Sequence, residues 1–258
     1  MLKTVHSKKK IRLKIGEYVL NLLFPPTCPG CGDFVEKSGT ICAKCWQKLH
    51  FITKPYCPVM GTPFVYDMGD GFLSGEALAS PPPFTRARSA VAHFGLARTL
   101  VTRLKYGDRT DLAPSMAQWM IIAGKELIES ADIIVPIPLH FRRFLKRTYN
   151  QATELSRYIS KSTGRPLYPS VIQRVKNTHQ QVGLHANARH RNMIGAFRVP
   201  EKEKVKIENK HILLVDDVFT TGATVRSASK VLLRSGAQTV DVLTFSRVLP
   251  ALYEEPPS

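Results

Sequence analysis

The sequence predicts an α/β fold: a mostly parallel sheet flanked by helices, with a flexible hood or lid and a small cysteine-rich module in front. Three observations predict it. Short runs of Ile, Val and Leu, such as 133–135 and 212–215, are too short for helices and apolar on every residue, as strands buried on both faces are. Stretches of helical period alternate with them. Four of the five Cys fall in two Cys-x-x-Cys pairs ahead of the first such strand.

The central element is His211 to Thr224, HILLVDDVFTTGAT. Residues 212–215 read as a buried parallel strand with Asp216 and Asp217 at its carboxyl end. Thr220, Thr221, Gly222, Ala223 and Thr224 lead into a helix over 223–234, closed by Gly236. Ligands of open α/β sheets bind beyond the carboxyl ends of strands. A Thr/Gly turn opening a helix offers free N–H groups, hydroxyls and the positive end of the helix dipole, which suits a phosphate monoester. Two adjacent carboxylates suit a polyol, or a divalent metal bridging to one. A sugar phosphate satisfies both halves. A solvated turn with capping threonines is the competing assignment. A P-loop is excluded, because no Lys follows the Gly. A receiver domain needs its carboxylates early in the chain, and these are late.

The 258 residues suffice for one α/β domain with a small appendage. No apolar run is long enough to cross a bilayer and no secretory signal is evident, so a cytoplasmic location is expected. The formal charge of +17 favours an anionic partner: nucleic acid, a polyphosphate or acidic lipid. Residues 1–24 read as a basic leader (Lys3, Lys8, Lys9, Lys10, Arg12, Lys14) and a short helix over 15–24, stopped by Pro25 and Pro26.

Residues 25–83 form the ribbon region. Cys28 and Cys31 make one knuckle, Cys42 and Cys45 another, with ten residues between them. In a reducing compartment paired knuckles mean metal sooner than disulfide, and four thiolates give a closed structural zinc site. An iron–sulfur cluster is the minor alternative. A second ribbon follows with most ligands missing. Cys57 keeps its place, but Met60, Ser74 and Ala77 stand where three more Cys would. Cys57 is therefore expected to be free, and this segment to be metal-free and held by Phe64, Tyr66 and Phe72.

Pro81, Pro82 and Pro83 read as a linker opening the third region, 84–258. There the sequence predicts an edge strand over 87–94, helices over 97–106 and 112–130, a strand over 132–138, a helix running on to 160, and strands over 167–175 and 239–245. Arg142, Arg143, Lys146 and Arg147 follow the strand at 132–138. They read either as cations for a pyrophosphate or as a basic first helical turn. Residues 174–198 are basic and aperiodic, a candidate lid with Gln181, Gly183, Leu184, Arg189 and Asn192 as its most specific residues.

Several phrases in fixed order carry a resemblance: LLFPPTCPGCG, PPPFTRARSAV, LKYGDRTDLAP, VPIPLHFRRFLKRTYNQA, QVGLHANARHRNMIGAF and ILLVDDVFTTGATV. The chain resembles the ComF family of competence-associated proteins, in which a type I phosphoribosyltransferase-like domain carries an N-terminal zinc ribbon. The lid region is also similar to the transferase half of amidophosphoribosyltransferases. The resemblance implies that Asp216 and Asp217 hold the ribose hydroxyls of phosphoribosyl pyrophosphate and that Thr220 to Thr224 cradle its 5′-phosphate. It implies magnesium between pyrophosphate and ribose, with Arg189 as a lid cation and Arg142 and Arg143 as supports. Displacement at the anomeric carbon would then proceed by positioning and leaving-group neutralisation. It also implies a link to DNA uptake. Two functions stay open: phosphoribosyl transfer to an unidentified base or amine, and a non-catalytic module that senses phosphoribosyl pyrophosphate or binds single-stranded DNA beside other uptake proteins.

Overall fold

The structure, a computed structural model, describes residues 24–69, 71–107, 109–139, 149–176 and 195–249. The basic leader, the helix expected over 15–24, Arg142, Arg143 and most of the candidate lid, Arg189 included, lie outside the described residues.

The elements run in order. Helices α1 (Ala43–Trp46) and α2 (Gly75–Ala79) belong to the ribbon region. Strand β1 (Ala87–Ala92) precedes α3 (Gly95–Tyr106), α4 (Ala113–Ala123) and α5 (Lys125–Ser130). Then come β2 (Ile133–Pro136), α6 (Gln151–Thr163), β3 (Gln173–Arg174), β4 (Phe197–Arg198), β5 (His211–Phe219), α7 (Ala223–Arg234) and β6 (Thr239–Arg247).

The sheet has the order β1-β6-β5-β2, and every pairing is parallel. A parallel sheet needs cover on both faces. On one face Leu213, Val215, Leu243 and Phe245 pack against Leu100, Met116, Met120 and Ile159 of α3, α4 and α6. On the other, Ile212, Leu214, Val240 and Val242 pack against Val225, Ala228 and Leu232 of α7. The period-2 alternation of β5 and β6 sorts these side chains to their faces.

Four expectations are adjusted. The strand at 87 was expected at an edge, and β1 pairs with β6 alone within the sheet. Its outer side is nonetheless covered. Ile52 N–H donates to the Ala90 carbonyl at 2.9 Å and Ala92 N–H to that of His50 at 2.8 Å, so the ribbon region caps the open edge. The single helix expected over 112–130 breaks at Gly124. A Cβ there would lie 2.6 Å from Leu243 Cδ1, so the helix approaches the sheet too closely for any larger residue. The strand expected over 167–175 shrinks to a bridge from Leu167 to Ile134 and the two-residue β3. Pro169 and Ser170 turn the chain between them. β5 outruns its apolar core by four residues, because 216–219 continue to pair along β6.

Candidate functional site

The site sits where β5 and β6 end. Asp216 and Asp217 occupy successive positions of β5 and therefore face opposite sides of the sheet. Asp217 is buried and meets Lys105, near the end of α3, with Nζ 2.9 Å from Oδ2. Asp216 is largely buried, and its Oδ1 accepts the backbone N–H of Asp217 at 2.9 Å. Burial first, and the neighbouring Asp217 charge second, push the Asp216 carboxyl up to about 7, against the pull of Lys105 and Arg174.

Thr220 and Thr221 are exposed, and Gly222 turns the chain into α7 with φ +70°. A Cβ on Gly222 would lie 2.7 Å from Phe219 Cζ, so both the dihedral and the space demand glycine. No side chain caps α7. Its first N–H groups have no acceptor within the helix, as at any helix start, and they open beside the Asp pair. The turn read from the sequence thus stands three residues beyond Asp217, at the mouth of the sheet.

Sequence reasoning missed several neighbours. His93 follows β1, and its Nδ1 lies 2.8 Å from Ser246 Oγ of β6. Burial, then the Lys105 charge, bring its pKa down to about 4, so the imidazole is neutral at pH 7. Asn150 caps α6, accepting from Ala152 N–H at 3.0 Å and donating to the Ile137 carbonyl at 2.9 Å. The only signal for His93 and Lys105 was position: each lies at the end of an element that points towards the Asp pair.

The four ribbon cysteines come together. Their Sγ atoms all lie within 4.8 Å of one another, and Cys31 and Cys42 are 3.6 Å apart. Sulfurs bound about 2.3 Å from one tetrahedral ion lie about 3.8 Å apart, so the cluster fits zinc. Gly30 and Cys42 N–H groups each approach Cys28 Sγ at 3.4 Å, as donors to a thiolate. Burial, and the sulfurs of Cys31, Cys28 and Cys42, push Cys45 up to about 12. The cluster therefore needs a cation before all four thiols ionise. Cys28 and Cys45 join the same apolar core as α3 and α4, which ties the ribbon to the sheet domain.

Among the described residues no second group of metal ligands exists. Cys57 is fully buried and free. Phe64 packs against the core and meets Phe72 edge to face at 5.5 Å, but Phe72 and Tyr66 are themselves exposed, so of the three expected rings only Phe64 joins the core. One zinc per chain is the expected stoichiometry by elemental analysis of purified protein; two tightly bound ions contradict it.

The fold and the sulfur cluster define an α/β protein with a parallel sheet behind an N-terminal zinc ribbon. The double zinc ribbon domain family matches residues 19–77. The DNA utilization protein YhgH of Salmonella typhimurium is 33% identical over 198 residues, covering 75% of this chain and 84% of the relative. Competence protein F of Haemophilus influenzae is 27% identical over 218 residues, covering 83% and 92%. Among solved structures, the glutamine phosphoribosylpyrophosphate amidotransferase of Bacillus subtilis matches 55% of this chain and 30% of its own, at 17% identity and a TM-score of 0.35. This chain belongs to the family of YhgH and competence protein F. Among the described residues no helix is long and apolar enough to cross a membrane.

Proposed function

We propose that this protein is a phosphoribosyltransferase-like protein that binds phosphoribosyl pyrophosphate with magnesium at the carboxyl end of β5. The observation that carries this reading is the pairing of Asp216 and Asp217 with a glycine-dependent Thr-Thr-Gly turn at the start of α7. Asp216 and Asp217 accept hydrogen bonds from the ribose 2′- and 3′-hydroxyls. Thr220 to Thr224 give the 5′-phosphate backbone N–H groups, hydroxyls and the positive end of α7. Lys105 pairs with Asp217 and holds its side chain in place. Magnesium, when bound with the substrate, neutralises pyrophosphate as a leaving group. Arg189, Arg142 and Arg143 are assigned to the pyrophosphate from the sequence. The acceptor in a transfer reaction is a base or amine, and pyrophosphate release across a panel of these tests whether the bound sugar reacts.

The raised Asp216 pKa sets a pH dependence. Its folded value, about 7, exceeds the ordinary carboxyl value of 3.8, so the folded protein holds the extra proton. That contribution to stability is present at low pH and is lost as pH rises through about 7. Sugar binding has the opposite sign, because the ionised form is the better hydroxyl acceptor. Affinity for phosphoribosyl pyrophosphate is therefore expected to rise between about pH 6 and 8. Calorimetry at three pH values checks this, and an affinity that falls over that range contradicts it.

A second reading rests on the net charge of +17 and on the DNA named for the YhgH relatives. In it the protein binds single-stranded DNA through phosphates. Affinity for an oligonucleotide is then expected to fall about 300-fold or more between 50 and 200 mM salt if six or more phosphates are neutralised. Binding that ignores salt, or none, removes this reading.

A further inference from the structure

The ribbon region is a repeat, and its second copy is built to do without the ion. In the first copy Cys28 N–H donates to the Asp33 carbonyl at 2.7 Å and Gly32 N–H to that of Cys28 at 2.9 Å. In the second, Cys57 N–H donates to the Thr62 carbonyl at 2.8 Å and Gly61 N–H to that of Cys57 at 2.8 Å. The cross-knuckle bond repeats as well. Cys42 N–H reaches Cys28 Sγ at 3.4 Å, and Ser74 N–H reaches Cys57 Sγ at 3.3 Å. The backbone of a metal knuckle therefore survives around one sulfur, although three ligands are gone.

Something else carries positive charge there. Arg226 of α7 and Arg247 at the end of β6 are both buried. Arg226 Nη2 lies 3.9 Å from Met60 Sδ, the atom that stands in a ligand's place. Arg247 donates to the Met60 carbonyl. Glu76, on the helix that bears the two missing ligands, lies 3.7 Å from each guanidinium. One carboxylate against two guanidinium groups leaves the cluster with one unit of positive charge in excess, and the Cys57 sulfur supplies the other acceptor. Burial alone would raise that thiol, but donors from Ser74, Met60 and Val59 outweigh it and bring it below its ordinary value.

The same two arginines reach the site turn. The Arg247 guanidinium lies over the Phe219 ring, 4.4 Å from its centroid. Phe219 is the ring that fills the space a Gly222 Cβ would need. Val248 N–H donates to the Phe219 carbonyl at 2.9 Å. Arg226 Nη1 donates to the Ser80 carbonyl at 3.0 Å, and its guanidinium lies over Phe84, which packs edge to face on Phe219.

We infer that the second knuckle is a metal-free repeat in which Arg226 and Arg247 stand where the ion would, and that it positions the Thr220–Gly222 turn from beneath through Phe219. Arg226, Arg247, Glu76 and Cys57 are thus positioning residues for the turn. Its role in binding rests on the reading of that turn as a phosphate cradle. The ribbon has become part of the site's foundation, which gives a reason for a degenerate metal module to keep its backbone.

The test uses the full chain with Glu76→Gln, an isosteric change at a half-exposed side chain that leaves the core packing in place, and Arg247→Lys as the stronger perturbation. Amide hydrogen exchange is followed over 219–226, with α4 as an internal reference, alongside zinc content and affinity for phosphoribosyl pyrophosphate. The expected result is exchange over 219–226 faster by about ten-fold, α4 unchanged, and zinc held at one per chain. Affinity falls with it. Loosening confined to 55–80, with the turn unchanged, overturns the inference and leaves the proposed function intact. A loosened turn in a protein whose wild type binds no phosphoribosyl pyrophosphate supports the positioning and overturns the proposed function. A second zinc in the wild-type protein overturns the metal-free knuckle.

Discussion

Asp217→Asn is expected to weaken binding of phosphoribosyl pyrophosphate by about 100-fold or more while leaving the zinc ribbon folded. The carboxylate accepts from a sugar hydroxyl and from Lys105, and hydrogen bonds to charged groups contribute about 1.5–3 kcal/mol each. Asn matches the shape of Asp but removes the charge and turns one oxygen into a donor. The Lys105 ammonium, 2.9 Å from Asp217 in the wild type, loses its counter-charge and no longer fixes the side chain at 217. The measurement is calorimetric titration with magnesium present, together with zinc content as the folding control. Unchanged affinity with one zinc retained rejects the assignment of Asp217 to the sugar.

Cys45→Ser, or stripping the metal with a chelator, is expected to cost the most stability of any ribbon change. Cys45 is buried against the shared core, and Gly30 approaches so closely that a Cβ there would lie 2.5 Å from Cys45 Sγ. Zinc binding contributes about 10–16 kcal/mol to small finger peptides near pH 7. A Ser ligand forfeits part of that. Because the ribbon covers the edge of β1 through 50–52, its loss also exposes a row of unpaired backbone groups. With a loss on the order of 4 kcal/mol, Tm falls by about 8–16 °C. Exposure of β1 is expected to bring concentration-dependent aggregation, which light scattering reads. A chelated protein that melts at the wild-type temperature contradicts a structural zinc.

The contrast between these two regions explains what the sequence made legible. The Asp pair and the Thr-Thr-Gly turn lie within nine residues of one another, so spacing alone places them on a strand end and a helix start. The first ribbon was legible for the same reason: Cys-x-x-Cys is a local geometry. Arg226 and Arg247 were not legible. Arg226 lies in an amphipathic helix where Arg is common, and Arg247 is the last residue of a strand with nothing local to mark it. Their partner, Glu76, lies 150 and 171 residues away along the chain. Only the fold brings such groups together. Lys105 and His93 belong to the same class, because each acquires its meaning from β5 or β6. Gly124 gave a false continuity, since a helical period does not register the Leu243 side chain that forbids a Cβ there.

The cover of β1 teaches a related point. Alternation along 87–94 suggested an edge strand, yet all six residues of β1 are buried. A strand flanked by its own sheet on one side and a small module on the other has no wet edge, and pattern alone does not distinguish the two cases. The ribbon region is therefore tied to the sheet at three places: the zinc cluster against α3 and α4, residues 50–52 along β1, and the second knuckle against Arg226 and Arg247.

The central claim is that Asp216 and Asp217 hold a pentose whose phosphorylated end rests on the turn at 220–224. A crystal structure of the protein soaked in phosphoribosyl pyrophosphate and magnesium tests it most directly. The account predicts the ribose diol within hydrogen-bond distance of both carboxylates and the 5′-phosphate on the first N–H groups of α7. Clear density for the sugar at any other place, with this crevice empty, contradicts it.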